Sequence, residues 1–191
     1  HPVATAVLEG CRSPLAAPSA NRSGRPSPTT AAHVLAEFGD EVALVLDGGP
    51  CVIGVESTVV DARESRPIVL REGAVTREQL GVTADGSSGD RHRSPGTRYR
   101  HYAPRCRVAV LDPAAPGAAL AAAEGDRLGA VVRHDHRRVV PGDLRIVATF
   151  TDAADLARQL YAAFLLALAA DPDLLLVEGV DEAGVGRAVM D

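Results

Sequence analysis

Hydroxyl, amide and guanidinium side chains crowd into one stretch, Ala17-Pro-Ser-Ala-Asn-Arg-Ser-Gly-Arg-Pro-Ser-Pro-Thr-Thr30. Ser19, Ser27 and Thr29 offer oxygens, Arg22 and Arg25 offer fixed positive charge, and Asn21 can orient a polar ligand. Ser27 followed by Pro28 reads as a helix start, a hydroxyl cap with proline at the first helical position. Free backbone N–H groups and the positive end of the helix dipole favour an anion there, so phosphate oxygens are the expected guests. A capped loop that merely joins a strand to a helix is the plainer reading on composition alone.

Three further segments carry groups of the right kind. In Gly54-Val-Glu-Ser-Thr-Val-Val-Asp61, strand alternation puts Glu56, Thr58 and Val60 on one face and Val55, Ser57 and Val59 on the other. Ser57 then sits among valines on the face expected to be buried, where an unsatisfied hydroxyl costs about 1–3 kcal/mol. A neighbouring backbone group is its simplest partner. In Ile68-Val-Leu-Arg71-Glu-Gly73, an arginine at the end of an apolar strand can grip phosphate or carboxylate, or pair with Glu72. Ser94-Pro-Gly-Thr-Arg-Tyr-Arg-His-Tyr-Ala-Pro104 places Tyr99, His101 and Tyr102 in a stretch that is otherwise linker-like. Aromatic rings there find burial only by docking, either over a site as a cover or against a domain as a strap. His134-Asp-His136 lies in an arginine-rich turn without further spaced ligands and reads as a solvated loop. Walker A and G-x-G-x-x-G patterns are both missing from the sequence.

The elements that position these groups fall into three regions: 1–81, a linker 82–105, and 106–191. In the first, helix is expected over Val3–Leu8 and from the Ser27 cap to Phe38. Strands are expected at Leu15–Ala17, Val42–Leu46, Ser57–Val60 and Ile68–Leu70, and one or two helical turns at Thr76–Leu80. In the third, strands at Val108–Leu111, Gly129–Val132, Leu144–Val147 and Leu174–Val177 alternate with helices near Ala114–Ala123 and Ala153–Ala169. That alternation predicts a parallel, Rossmann-like α/β sheet, and α/β is the fold class of the whole. The tail from Gly184 to Asp191 stops slightly early for a closing helix.

Composition bounds the function. Hydrophobic residues make up 46% and aromatics 3%, so the core must be built from Ala, Val and Leu. All 20 cations are arginine, which rules out a lysine nucleophile or Schiff base in this chain. The net charge of −5 argues against coating nucleic acid by bulk electrostatics, while a local basic patch stays open. Three scattered cysteines, Cys11, Cys51 and Cys106, fit free thiols in a reducing cytoplasm. The apolar stretch Leu160–Ala170 reads as a buried helix, and membrane association is not expected.

Taken together, Ala17-Pro-Ser-Ala-Asn-Arg-Ser-Gly-Arg-Pro-Ser-Pro-Thr, Val55-Glu-Ser-Thr-Val-Val-Asp, Leu70-Arg-Glu-Gly and the Tyr-rich linker resemble the longer, two-domain threonylcarbamoyl-AMP synthases of the YrdC-like family. The order and spacing match over residues 1 to 105, and the linker is the most specific signal. The resemblance implies an enzyme that joins L-threonine, bicarbonate and ATP into threonylcarbamoyl-adenylate and releases pyrophosphate, with Mg²⁺ on the phosphates. A downstream transferase complex would then modify an adenosine of tRNA. By the same resemblance Ser19, Ser27 and Arg71 contact ATP with Asn21 nearby, and Ala17 (through its backbone) and Ser57 line the threonine pocket. Tyr99 or Tyr102 covers the nucleotide.

The family's N-terminal half of the catalytic domain has no counterpart here, and the chain starts His1-Pro2 rather than with Met. The expectation is an incomplete pocket, with little or no activity from this polypeptide alone. A non-catalytic RNA-binding or regulatory module is the competing class, supported by the arginine-rich stretches and opposed by the net charge. A carbamoyl-adenylate transferase is a second enzymatic alternative, which the linker opposes.

Overall fold

A computed structural model describes residues 1–63, 65–82, 106–125 and 127–190. The expected linker, with Tyr99 and Tyr102, lies outside the described residues except for Val82.

Helix α1 (Pro2–Cys11) opens the chain, with Pro2 in its first turn and the Val3 N–H donating to His1 Nδ1 at 3.3 Å. Helix α2 (Ala31–Phe38) follows and runs into a 3₁₀ turn, Gly39–Glu41. Strands β1 (Val59–Asp61) and β2 (Ile68–Arg71) form a two-stranded antiparallel ribbon in which Val59 faces Arg71. Helix α3 (Arg77–Leu80) is a single turn fixed by a capping box between Thr76 and Gln79 and closed by Gly81 at φ 65°.

The C-terminal region is the expected parallel α/β unit. Strands β3 (Arg107–Leu111), β4 (Leu128–Arg133), β5 (Arg145–Phe150) and β6 (Leu174–Glu178) lie in the order β3-β6-β4-β5, every pair parallel. Helix α4 (Pro116–Ala121) links β3 to β4, and helix α5 (Ala153–Ala170) links β5 to β6. The central strands β4 and β6 are covered on both faces and are continuous apolar runs for that reason. Val131, Leu175 and Val177 pack with Leu156, Leu160 and Ala163 of α5, while Ala130, Val132 and Leu176 pack with Leu111, Leu120 and Leu144 on the other face.

Helix α5 has 18 residues and a mean hydropathy of 1.3, so by length and composition it could cross a bilayer. The apolar stretch read at Leu160–Ala170 is the C-terminal part of this helix. Its buried residues, Leu156, Ala157, Leu160, Tyr161, Ala163 and Ala167, form the stripe that meets the sheet, as in a core helix.

Several expected boundaries moved. Helix α2 starts at Ala31, not after Ser27. Thr30 is extended and takes the His33 N–H on its side chain at 3.3 Å, so it is the true cap. Leu15–Ala17 and Val42–Leu46 form no strand, because no ladder partner lies beside either among the described residues. Leu15, Leu44 and Leu46 are exposed as a result. The predicted strand Ser57–Val60 begins only at Val59, and Leu144 is a buried residue just ahead of β5. The tail does close in a short helix, α6 (Gly186–Met190), whose Arg187 ion-pairs with Glu78 of α3 and so ties the two regions together.

Candidate functional site

Ser27, Glu56, Ser57 and Arg71 come from three separated segments and meet as one polar cluster. Ser27 donates its hydroxyl to Glu56 Oε1 at 2.7 Å. The other carboxylate oxygen, Oε2, lies 3.6 Å from the Arg71 guanidinium. Arg71 in turn donates through Nε to the Ser57 carbonyl at 3.0 Å and through Nη2 to the Ser57 hydroxyl at 3.1 Å. Its side chain is only 11% exposed, so the guanidinium works in a partly desolvated setting where its charge counts for more than on the surface.

Each member is placed by its local chain. Arg71 ends β2, and the ribbon register sets it opposite Val59, two residues past Ser57. The Glu56–Thr58 backbone runs against Gly73. A Cβ at position 73 would lie 2.2 Å from the Thr58 nitrogen and 2.5 Å from the Ser57 carbonyl carbon, so only glycine permits this approach. Thr58 donates its hydroxyl to the Val75 carbonyl at 2.5 Å. Beside the cluster a cavity of about 460 Å³ has Glu56, Ser57 and Thr58 on its polar wall and Ile53, Val55, Val60, Val75 and Leu80 on its apolar one.

The loop between α1 and α2 is organised from within. Asn21 donates through Nδ2 to the Arg22 carbonyl at 3.1 Å and the Arg25 carbonyl at 2.9 Å, and its Oδ1 lies 3.5 Å from the Ser27 hydroxyl. Asn21 therefore shapes the turn that delivers Ser27. Arg22 and Arg25 do not face an anion seat as expected. Arg25 pairs with Glu37 at 2.6 Å, while Arg22 pairs with Glu41 and stacks over Phe38 at 5.3 Å from the ring centroid. Acids on α2 and its following turn capture both cations. Thr29 is buried, and its N–H donates to His33 Nδ1 at 3.3 Å, which requires that nitrogen to be unprotonated. Burial holds His33 below its ordinary pKa.

The structure brings together Asn21, Ser27, Ser57 and Arg71. Ala17 and Ser19 are exposed in the irregular stretch before the loop, and neither makes a described side-chain contact with the cluster. Ser57 is exposed rather than buried among valines, because the strand starts two residues later than expected. Glu72 does not compete for Arg71, since it accepts from Arg77 Nε at 2.8 Å. The group that sequence reasoning missed is Glu56. An acid directly before a serine in an apolar segment was the available signal. Among the described residues no group of three His, Cys, Asp or Glu could hold a metal ion.

Two family models cover the chain. One, described as Telomere recombination (Sua5, YciO and YrdC proteins), matches residues 1–73. The other, described as Threonylcarbamoyl-AMP synthase, C-terminal domain, matches residues 69–191. The chain belongs to the threonylcarbamoyl-AMP synthase family. Threonylcarbamoyl-AMP synthases of Pyrococcus abyssi and Bacillus subtilis are 35% and 33% identical to it over the whole of this chain, which spans 59% of the length of each. The crystal structure of P. abyssi Sua5 complexed with L-threonine superposes with a TM-score of 0.85 at 35% identity, covering all of this chain and 59% of that one. A second structure of the same protein, with a histidine and the tyrosine after it both changed to alanine, gives 0.79 at 32% identity. The two matches overlap over residues 69–73.

Proposed function

We propose that the protein is a threonylcarbamoyl-AMP synthase, which condenses L-threonine, bicarbonate and ATP to threonylcarbamoyl-adenylate and pyrophosphate. The observation that carries this is the Ser27–Glu56–Arg71–Ser57 cluster within a chain of that family. Arg71 is the positive group that meets the triphosphate. Ser27 and the backbone of its loop add hydrogen bonds, with Asn21 holding the loop. Ser57 sits on the cavity wall and serves the threonine side of the pocket, together with the Ala17 backbone, while Ser19 approaches the nucleotide. Threonine as substrate is supported by the complex of the P. abyssi relative with L-threonine.

The chemistry is positional and electrostatic. Adenylation needs a carbamate carboxylate held in line with the α-phosphorus while pyrophosphate leaves, and Arg71 offsets the charge that develops on the phosphate oxygens. Mg²⁺ bound to the phosphates would share that load. Tyr102 is the preferred cover of the nucleotide over Tyr99, because His101-Tyr102 is the sole His-Tyr pair of this sequence and such a pair was substituted in the relative. The product would pass to a transferase complex that modifies a tRNA adenosine in the cytoplasm.

Pyrophosphate release from ATP with bicarbonate, with and without L-threonine, tests the reading. It is measured on this chain and on the chain extended to the length of its relatives. Threonine-dependent release by the extended form supports a synthase, and folded but silent protein in both cases refutes it.

A further inference from the structure

We infer that helix α5 of the C-terminal region is the seat that fixes the Glu56–Ser57 segment, and that Gly54 is a positioning residue through that contact. The role in the reaction rests on the synthase reading above, whereas the seating itself rests on geometry alone.

Gly54 is buried and donates its N–H to the Ala157 carbonyl in the second turn of α5 at 3.1 Å. That carbonyl has a second lone pair to give beyond its helical bond. A Cβ on residue 54 would lie 2.1 Å from the Arg158 carbonyl oxygen and 2.7 Å from its carbon, atoms of a helix backbone that cannot swing aside. The requirement is one of space rather than of dihedral angle. The next residue, Val55, packs onto the core cluster that contains Leu156 and Leu160 of the same helix. From the other side Gly73 presses on the backbone of Ser57 and Thr58. The segment is therefore held between two glycine contacts, and only between them do the Glu56 and Ser57 side chains reach Ser27 and Arg71.

Helix α5 suits the task. It is 18 residues long, its start is fixed by the Asp155 N–H donating to the Asp152 side chain at 2.8 Å, and its inner stripe is part of the parallel core. The C-terminal region thus reaches the polar cluster mechanically, by lending a rigid floor two residues from Glu56.

The test compares Gly54→Ala with wild type and with Gly10→Ala, a helical glycine whose added methyl meets open space. Amide hydrogen exchange and threonine-dependent turnover are measured on the chain extended to its relatives' length. Gly54→Ala is expected to speed exchange at residues 55–58 by at least about tenfold with α5 and β6 unchanged, since local opening and global unfolding are separable. Displacing the cluster by about 1 Å is expected to lower kcat on the order of 10–100-fold, with KM for ATP changing less. Val55→Ala should move both readouts in the same direction by a smaller factor, and Gly10→Ala should move neither. Wild-type exchange at 55–58 in Gly54→Ala, or exchange raised equally throughout β6 and α5, overturns the seating. A wild type that lacks threonine-dependent turnover refutes the synthase reading, while the exchange comparison still decides whether α5 is the seat.

Discussion

Glu56 and Ser27 lie 29 positions apart in sequence, and the serine hydroxyl donates to the carboxylate at 2.7 Å. Because the same carboxylate lies beside Arg71, one acid joins the loop ahead of α2 to the end of β2. Glu56→Gln keeps an acceptor for Ser27 but removes the charge opposite Arg71. It is expected to leave thermal stability within about 1 kcal/mol, the usual worth of a partly solvated ion pair. Glu56→Ala removes both links and should cost about 1–3 kcal/mol, read from the urea midpoint. Equal stability of the two variants would show that the Ser27 hydrogen bond contributes nothing.

Arg71 uses two nitrogens on two atoms of Ser57, a fork that lysine cannot reproduce. Arg71→Lys is therefore expected to weaken ATP binding by about 10–100-fold despite retaining the charge. Titration calorimetry with ATP and Mg²⁺ on the chain extended to its relatives' length checks this, and unchanged affinity would remove Arg71 from the nucleotide site.

Fold class was legible because the C-terminal strands are short apolar runs spaced by helical pattern, and burial on both faces of a parallel sheet demands that pattern. At the site, Arg71 stood out as a cation ending an apolar strand, and Ser57 as a hydroxyl in an apolar segment. The helix start was misplaced because Ser27-Pro28 and Thr30 both fit cap chemistry, and the choice depends on Glu56 drawing Ser27 away. Leu44 and Leu46 have strand-like neighbours, yet strand formation depends on a partner, which local sequence does not encode. Glu56 escaped notice for the same reason, since its meaning lies entirely in groups 15 and more residues distant.

His33 gives a pH signature. Its Nδ1 accepts the Thr29 N–H, and burial lowers its pKa in the folded state. The unfolded chain then binds the proton more readily. This contribution to stability is full above the unfolded value near 6.5 and is lost as pH falls through the lower folded value. Asp135, Asp155 and Asp173 are held below their ordinary value of 3.8, so their losses belong to more acid solution. Unfolding midpoints are expected to decline between pH 7 and pH 5 in wild type and to decline less in His33→Gln. Identical slopes would assign the decline elsewhere.

Glu178 is fully buried at the end of β6, where it accepts the Arg133 N–H at 2.9 Å and contacts His136 Nδ1 at 2.8 Å. It ties the turn after β4 to the centre of the sheet. Glu178→Ala leaves the partly buried Arg133 N–H without its acceptor and should destabilise the protein by about 1–3 kcal/mol. A loss under 1 kcal/mol in denaturant titration would contradict that account.

The role proposed for the cluster around Arg71 is threonine-dependent adenylation. Its most direct test is pyrophosphate release from ATP and bicarbonate by the chain extended to its relatives' length, with and without L-threonine, in wild type and Arg71→Ala. Release is expected to require threonine and to fall by about 100-fold or more in the variant. Release that ignores threonine, or that survives loss of the guanidinium, would contradict it.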